Sequence, residues 1–119
     1  MTEFTLHTED SAPEASKPLL AHSKKAFGML PGLHAVMAEA PGLLEAYKTV
    51  HDLFVNSSFD KDELTVVWQT VNVEHACHYC VPAHTGIAKS MGVSDDISNA
   101  LLMKRRCPMP GWRLCVHLP

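Results

Sequence analysis

Residues 74–89 have the sequence EHACHYCVPAHTGIAK. Within it, Cys77, Cys80 and His84 form the spacing C-x-x-C-x-x-x-H. Residues three and four positions apart share a face of an α-helix, so a helix from about Cys77 to Met91 would place two sulfurs beside an imidazole. A thiol reacts as its thiolate, which the C-x-x-C spacing, a helix N-terminus and a nearby histidine all favour. The segment therefore predicts a dithiol redox centre with its own proton carrier.

Zinc binding is the main alternative for this segment. Cys77, Cys80 and His84 supply three candidate ligands, and a fourth is available from Glu74, His75 or His78. Structural zinc sites usually add a second ligand pair far along the chain, and the sequence has no second C-x-x-C. Covalent haem attachment needs a histidine directly after the second cysteine, where this chain has Val81. Two buried packing cysteines are a further alternative. We expect a site without metal or cofactor.

A proton relay needs groups beyond the two thiols. His84 suits this role because the ordinary pKa of histidine lies near neutrality. Glu63 and Glu74 are the candidate carboxylates that would hold a relay proton or orient His84, although either could lie on a helix surface. Trp68 and Tyr79 either line the pocket or fill the core. The candidate catalytic residues are therefore Cys77, Cys80, His84, Glu63 and Glu74.

Composition and charge narrow the classes of function. The chain has 119 residues, of which 46% are hydrophobic and 19% charged, as in ordinary globular domains. The net charge of -3 does not suggest a nucleic-acid partner, and no apolar run is long enough to cross a membrane. The polar, acidic N-terminus is unlike a signal or transit peptide. We expect a cytoplasmic protein, where a C-x-x-C pair is more often catalytic or metal-binding than structural.

Apolar spacing predicts an all-α fold. We expect a mobile segment over residues 1–14, short helices over residues 15–27 and 33–40, and a longer helix that starts near Pro41 and ends at Asn56. Breaks at Gly28 and at the Pro31-Gly32 pair separate the first helices.

The second half of the chain continues the helical pattern. The run TVVWQTVNV is rich in β-branched residues, so propensity alone would allow a strand. Its helically spaced apolar residues and its helical neighbours favour a helix, capped by Ser58 or Asp60. Gly92 is a natural end for the helix that carries the motif, and Ser94 caps a last one.

Residues 62–101 resemble the carboxymuconolactone decarboxylase superfamily, in its alkylhydroperoxidase D-like branch. The C-x-x-C-x-x-x-H core is the specific part of this resemblance, and KKAFGMLPGLHAVMAEAPGLLEAYKTVHDLF upstream adds weaker support. The resemblance implies a helical bundle, a homo-oligomer, and reduction of a hydroperoxide with electrons from an external dithiol reductant. Decarboxylase members typically lack the cysteine pair, which argues against that reaction.

The resemblance also implies individual roles. It makes Cys80 the peroxide-attacking cysteine, Cys77 its resolving partner and His84 the relay histidine. The chain departs from the family at two positions: Thr65 stands where a relay glutamate is usual, and Tyr79 stands where the best-known antioxidant members have histidine. The alternative function is a redox sensor whose dithiol closes without turnover.

The end of the chain differs sharply in charge from the rest. All thirteen Asp and Glu residues lie at or before Asp96, whereas all three Arg residues follow Lys104. We expect residues 102–119 to be a frameshifted end, since restoring one base gives a capped, amphipathic helical sequence; the alternative is a natural basic tail. The expected architecture is a single alkylhydroperoxidase D-like domain over residues 15–101, truncated at its C-terminus. Missing helices would leave an apolar helix face exposed, which a second copy would cover.

Overall fold

The structure, a computed structural model, describes residues 3–104. Over this range the chain forms six α-helices and no strand, so the all-α prediction is confirmed and a strand over residues 65–73 is excluded. The helices are α1 (Lys17–Phe27), α2 (Gly32–Met37), α3 (Pro41–Val55), α4 (Lys61–Glu74), α5 (Cys80–Ser90) and α6 (Asp95–Leu102), with a 3-10 turn at Glu14–Ser16. Most of the predicted frameshifted tail, residues 105–119, lies outside the described residues.

The chain divides into two compact units between Asn56 and Ser57. The first unit contains the 3-10 turn and helices α1–α3, and the second begins with the segment that leads into α4. The single domain predicted from the sequence, residues 15–101, spans parts of both units. The division falls at the Asn56-Ser57-Ser58 run, where the predicted long helix ends.

The first unit has its own buried cluster, formed by Ala12, Leu20, Ala38 and Leu44. His7 is also buried, and its backbone N–H donates to the Ala35 carbonyl at 3.1 Å. The segment over residues 1–14, predicted to be mobile, therefore contains two residues that pack into this unit.

Helix α3 carries the apolar face that the sequence predicts, but little of that face is buried. Leu44 is fully buried, whereas Leu43, Val50 and Leu53 are more than half exposed. Helical periodicity therefore locates the helix without identifying which apolar residues reach the core.

The second unit is organised by α4, which packs against α5 and α6. A capping box starts α4: the Asp60 carboxylate accepts the N–H groups of Asp62 and Glu63, and the Glu63 carboxylate accepts the Asp60 N–H at 2.9 Å. The predicted Asp60 cap is confirmed. The buried cluster of this unit consists of Val66, Ala88, Val93, Ile97 and Leu101.

Helix α6 begins at a second predicted cap. The Ser94 hydroxyl accepts the Ile97 N–H at 3.4 Å. Within residues 3–104, no helix combines the length and the apolar character needed to cross a membrane.

Candidate functional site

A left-handed residue follows the end of α4, directly before the first cysteine. Ala76 has φ of +48°. Its N–H donates to the Val73 carbonyl at 3.1 Å, and the Cys77 N–H donates to the Asn72 carbonyl at 3.0 Å. These two bonds form a Schellman motif, whose left-handed position is usually glycine. A residue with a Cβ carries about 1–2 kcal/mol of strain in this conformation.

Cys77 lies in the turn before α5. The predicted helix from Cys77 is therefore wrong at its start, because the left-handed Ala76 ends one helix and α5 begins only at Cys80. The Cys77 carbonyl accepts the Val81 N–H at 3.1 Å, and its Sγ accepts the Cys80 N–H at 3.1 Å. An N-cap residue makes this pair of bonds, usually through a serine, threonine, asparagine or aspartate oxygen. Cys77 thus accepts from the start of α5 as a capping residue does, whereas Tyr79, directly before α5, makes no side-chain capping bond.

The two thiols differ in acidity because one donates to the other. Hydrogen bonds from Cys80, first from its thiol and then from its backbone N–H, lower the pKa of Cys77. Donation to Cys77, burial and the charge on Cys77 raise the pKa of Cys80 to about 11. Both cysteines are free thiols and partly exposed. The arrangement therefore favours a thiolate at Cys77 next to a protonated Cys80.

His84 lies on α5, one turn after Cys80. Its ring packs against the indole of Trp68, with ring centroids 5.0 Å apart and planes inclined at 46°. Trp68 thus limits the orientation of the imidazole from α4. Tyr79 is 48% exposed, which excludes the alternative that it fills the core. The structure places Cys80 and His84 on the same helix, but it does not place Cys77 on that helix with them.

The two candidate carboxylates occupy opposite ends of α4. At about 1.5 Å of rise per residue, Glu63 and Glu74 lie about 16 Å apart along the helix axis, so they cannot both serve one proton. Glu63 takes part in the capping box, and Glu74 accepts from Lys104 Nζ at 3.4 Å. Thr65, at the position of the family glutamate, is buried and donates its hydroxyl to the Lys61 carbonyl at 2.8 Å.

Two amide side chains that the sequence analysis missed hold the start of α5 against α4. Gln69 is fully buried, and its Nε2 donates to the Val81 carbonyl at 3.2 Å and to Thr85 Oγ1 at 2.9 Å. Asn72 Nδ2 donates to Gln69 Oε1 at 3.1 Å and to the Cys80 carbonyl at 3.4 Å. The sequence signal for this contact is that Gln69 and Asn72, two polar residues three positions apart, interrupt the apolar run of α4.

An open cleft of about 250 Å³ borders the first cysteine. Its lining is mainly apolar and consists of Val73, Ala76, Cys77, His78, Val81, Pro82 and Leu102. Cys77 therefore borders a space that a small molecule can enter, and the surface around it favours an apolar group.

The zinc alternative lacks a ligand set in the part of the chain that the structure describes. Across residues 3–104, no group of three or more His, Cys, Asp and Glu side chains is arranged to hold a metal ion. Cys77 and Cys80 are neighbours, but the predicted third ligand, His84, does not complete a group with them.

Comparison with models of protein families gave no match, and comparison with curated proteins gave none either. The family resemblance therefore rests on the quoted residues of this chain.

Proposed function

We propose that the protein is a thiol-dependent, peroxidase-like oxidoreductase that reduces hydroperoxides by cycling Cys77 and Cys80 between dithiol and disulfide. The hydrogen bond from the Cys80 N–H to Cys77 Sγ, 3.1 Å long, is the observation that carries the proposal. The two free thiols lie in one turn, and the Cys77 sulfur accepts a hydrogen bond from the backbone of Cys80. A packing role for the cysteines does not account for this contact.

The proposed cycle has three steps. One cysteine attacks the O–O bond as its thiolate, which gives a sulfenic acid and, after protonation of the leaving oxygen, an alcohol. The other thiol then displaces the sulfenic oxygen as water and forms the disulfide. An external dithiol reduces that disulfide by exchange and is itself oxidised. A reducing compartment such as the cytoplasm would supply the reductant.

The cleft beside Cys77 supports an organic hydroperoxide as the substrate. Val73, Val81, Pro82 and Leu102 contribute apolar surface to it. Burial of an apolar group from the substrate against these side chains is favourable by about 25 cal/mol per Å². The proposed substrate is therefore a hydroperoxide with an apolar organic part.

His84 is the proposed proton carrier. The contact with Trp68 holds the ring, and the position of His84 one turn after Cys80 keeps it on the motif helix. Glu74 is the carboxylate we assign to this relay, because it lies at the end of α4 that leads to Cys77. Glu63 is better explained by its capping bond with Asp60.

A steady-state assay tests the proposal. The chain with Cys107→Ser and Cys115→Ser should consume tert-butyl hydroperoxide repeatedly with dithiothreitol as reductant, and the oxidised intermediate should contain a Cys77–Cys80 disulfide by peptide mass spectrometry. A matched variant that also carries Cys77→Ser and Cys80→Ser is the control for background oxidation. Oxidation that stops after one equivalent would instead support the redox sensor.

We include a homo-oligomer in the proposal. The exposed apolar side chains of α3, Leu43, Val50 and Leu53, lie on one stripe of the helix and favour burial against another surface. Size-exclusion chromatography with light scattering should give a mass of at least twice 13.1 kDa. A monomer at all concentrations would contradict this part.

A further inference from the structure

We infer that Cys77 is the sulfur that attacks the hydroperoxide and that Cys80 is the resolving thiol. The inference rests on the proposed function and reverses the roles that the family resemblance implies. It makes two structural features agree: the contact of Cys77 Sγ with the Cys80 N–H, and the lining of the cleft.

The capping contact stabilises negative charge on Cys77. Its Sγ already accepts the Cys80 N–H at 3.1 Å, and its carbonyl accepts the Val81 N–H. Unsatisfied N–H groups at the start of a helix carry partial positive charge, which favours an anion in the capping position. α5 has eleven residues, so its N-terminal turn is backed by a complete helix. Formation of the Cys77 thiolate therefore needs no rearrangement of the backbone.

The cleft gives the same assignment from the substrate side. Cys77 is one of its lining residues, together with Val73 on α4 and Val81 and Pro82 on α5. A hydroperoxide whose organic part occupies this cleft meets the first cysteine. Cys80 is not among the residues that line this cleft.

The order of proton transfers follows from which thiol donates. Cys80 donates its thiol proton toward Cys77, and this donation and burial raise the pKa of Cys80 to about 11. At neutral pH Cys80 therefore remains protonated while Cys77 attacks. His84 accepts the Cys77 proton, an S–O bond forms as the O–O bond breaks, and His84 returns that proton to the leaving alkoxide, which becomes the alcohol. Cys80 then loses its proton as its sulfur displaces the oxygen of the Cys77 sulfenic acid, which leaves as water.

Single-turnover trapping tests the assignment. Cys80→Ser and Cys77→Ser are each made with Cys107→Ser and Cys115→Ser. Each protein receives one equivalent of cumene hydroperoxide at pH 7 with dimedone, and the adduct is located by peptide mass spectrometry. We expect the adduct on Cys77 in Cys80→Ser to form about tenfold faster than the adduct on Cys80 in Cys77→Ser, because Cys77 borders the cleft and keeps the backbone N–H of residue 80 as a donor to its thiolate.

The possible outcomes separate this inference from the proposed function. A faster adduct on Cys80 overturns the inference but leaves a peroxide-reactive dithiol, so the proposed function stands. Absence of adducts in both variants, together with absence of a disulfide in the protein that retains both cysteines, overturns both proposals.

A second measurement does not depend on folding of the single variants. The protein that retains Cys77 and Cys80 is treated with a substoichiometric amount of iodoacetamide at pH 7, and the two labelled peptides are quantified. We expect label on Cys77 to exceed label on Cys80 by about tenfold. An excess on Cys80 contradicts the inference.

Discussion

The second unit contains two helix-to-helix turns with the same backbone design and different residues. Helix α5 ends as α4 does, in a Schellman motif: the Gly92 N–H donates to the Lys89 carbonyl, and the Val93 N–H donates to the Ala88 carbonyl at 3.0 Å. The left-handed position is Gly92, with φ of +73°, in the α5–α6 turn. In the α4–α5 turn the same position is held by Ala76.

The residue that caps the next helix differs in the same way. The α5–α6 turn uses the Ser94 hydroxyl to accept the N–H three residues later, whereas the α4–α5 turn uses the Cys77 sulfur. One turn thus has the glycine and the oxygen cap that local stability favours. The α4–α5 turn has the same backbone geometry but uses Ala76 and Cys77, which are less favourable at these two positions. Such local conflicts concentrate at functional sites, which fits a turn retained for the reactivity of its sulfur.

The largest expected effect concerns the donor that acidifies Cys77. A hydrogen bond to the thiolate favours the charged form, so Cys80→Ala, which removes the thiol donor, should raise the pKa of Cys77 and reduce its thiolate fraction at neutral pH several-fold. Cys80→Ser retains a donor and is the matched control. Thiolate absorbance followed against pH, with Cys107→Ser and Cys115→Ser present, measures both. Coincident titrations would show that the backbone N–H alone stabilises the thiolate.

The next largest effect concerns the stability of the protein when the α5–α6 turn is given the alanine of the α4–α5 turn. Gly92→Ala should destabilise the protein by about 1 kcal/mol, because an added Cβ is strained at positive φ. Steric overlap contributes little, since the nearest atom to such a Cβ is the flexible Lys61 Nζ at 3.5 Å. Urea denaturation followed by helical circular dichroism measures the change. An unchanged midpoint would mean that the two turns do not differ in strain.

The reciprocal substitution should have a smaller effect of opposite sign. Ala76→Gly should stabilise the protein by about 0.5–1 kcal/mol, because relief of the left-handed strain exceeds the extra entropy of glycine in the unfolded chain. Ala83→Gly, within α5, is the control and should destabilise by about 1 kcal/mol. The same urea experiment applies. Loss of stability on Ala76→Gly would contradict the description of Ala76 as strained.

The smallest expected change comes from exchanging the sulfur cap for an oxygen cap. Cys77→Ser should leave stability within a few tenths of a kcal/mol of the original, because serine is a preferred N-cap residue. Cys77→Ala removes the acceptor and should destabilise more than Cys77→Ser under the same denaturation conditions. Equal stability of the two variants would show that the contact with the Cys80 N–H does not cap the helix.

Local signals explain what the sequence predicts well. Asp60 and Ser94 cap the helices that they are expected to cap, because a capping bond depends only on residues two or three positions away. Helix α3 is found from its spacing and from Pro41 in its first turn. These features need no knowledge of the tertiary fold.

The site was predicted less completely because its decisive features are not local preferences. Alanine gives no signal for a left-handed residue, so the sequence shows neither the turn at Ala76 after α4 nor the start of α5 at Cys80. Cysteine is not a typical cap residue. The bonds from Gln69 to Val81 and Thr85 depend on how α4 packs against α5. Sequence alone does not separate Glu63 from Glu74 as the relay carboxylate, because it does not show that α4 holds them at opposite ends.

The hydrogen bonds from the side-chain amides of Asn72 and Gln69 determine which part of the unit a redox change would affect. The Asn72 carbonyl accepts the Cys77 N–H, and Asn72 Nδ2 donates to the Cys80 carbonyl. A single residue of α4 is therefore hydrogen-bonded to both ends of the C-x-x-C segment. Closing and reopening a bond between the sulfurs would therefore act on the last turn of α4, the central helix of the unit. Slower amide hydrogen exchange in α4 than in α5 would be the dynamic signature of such an anchor.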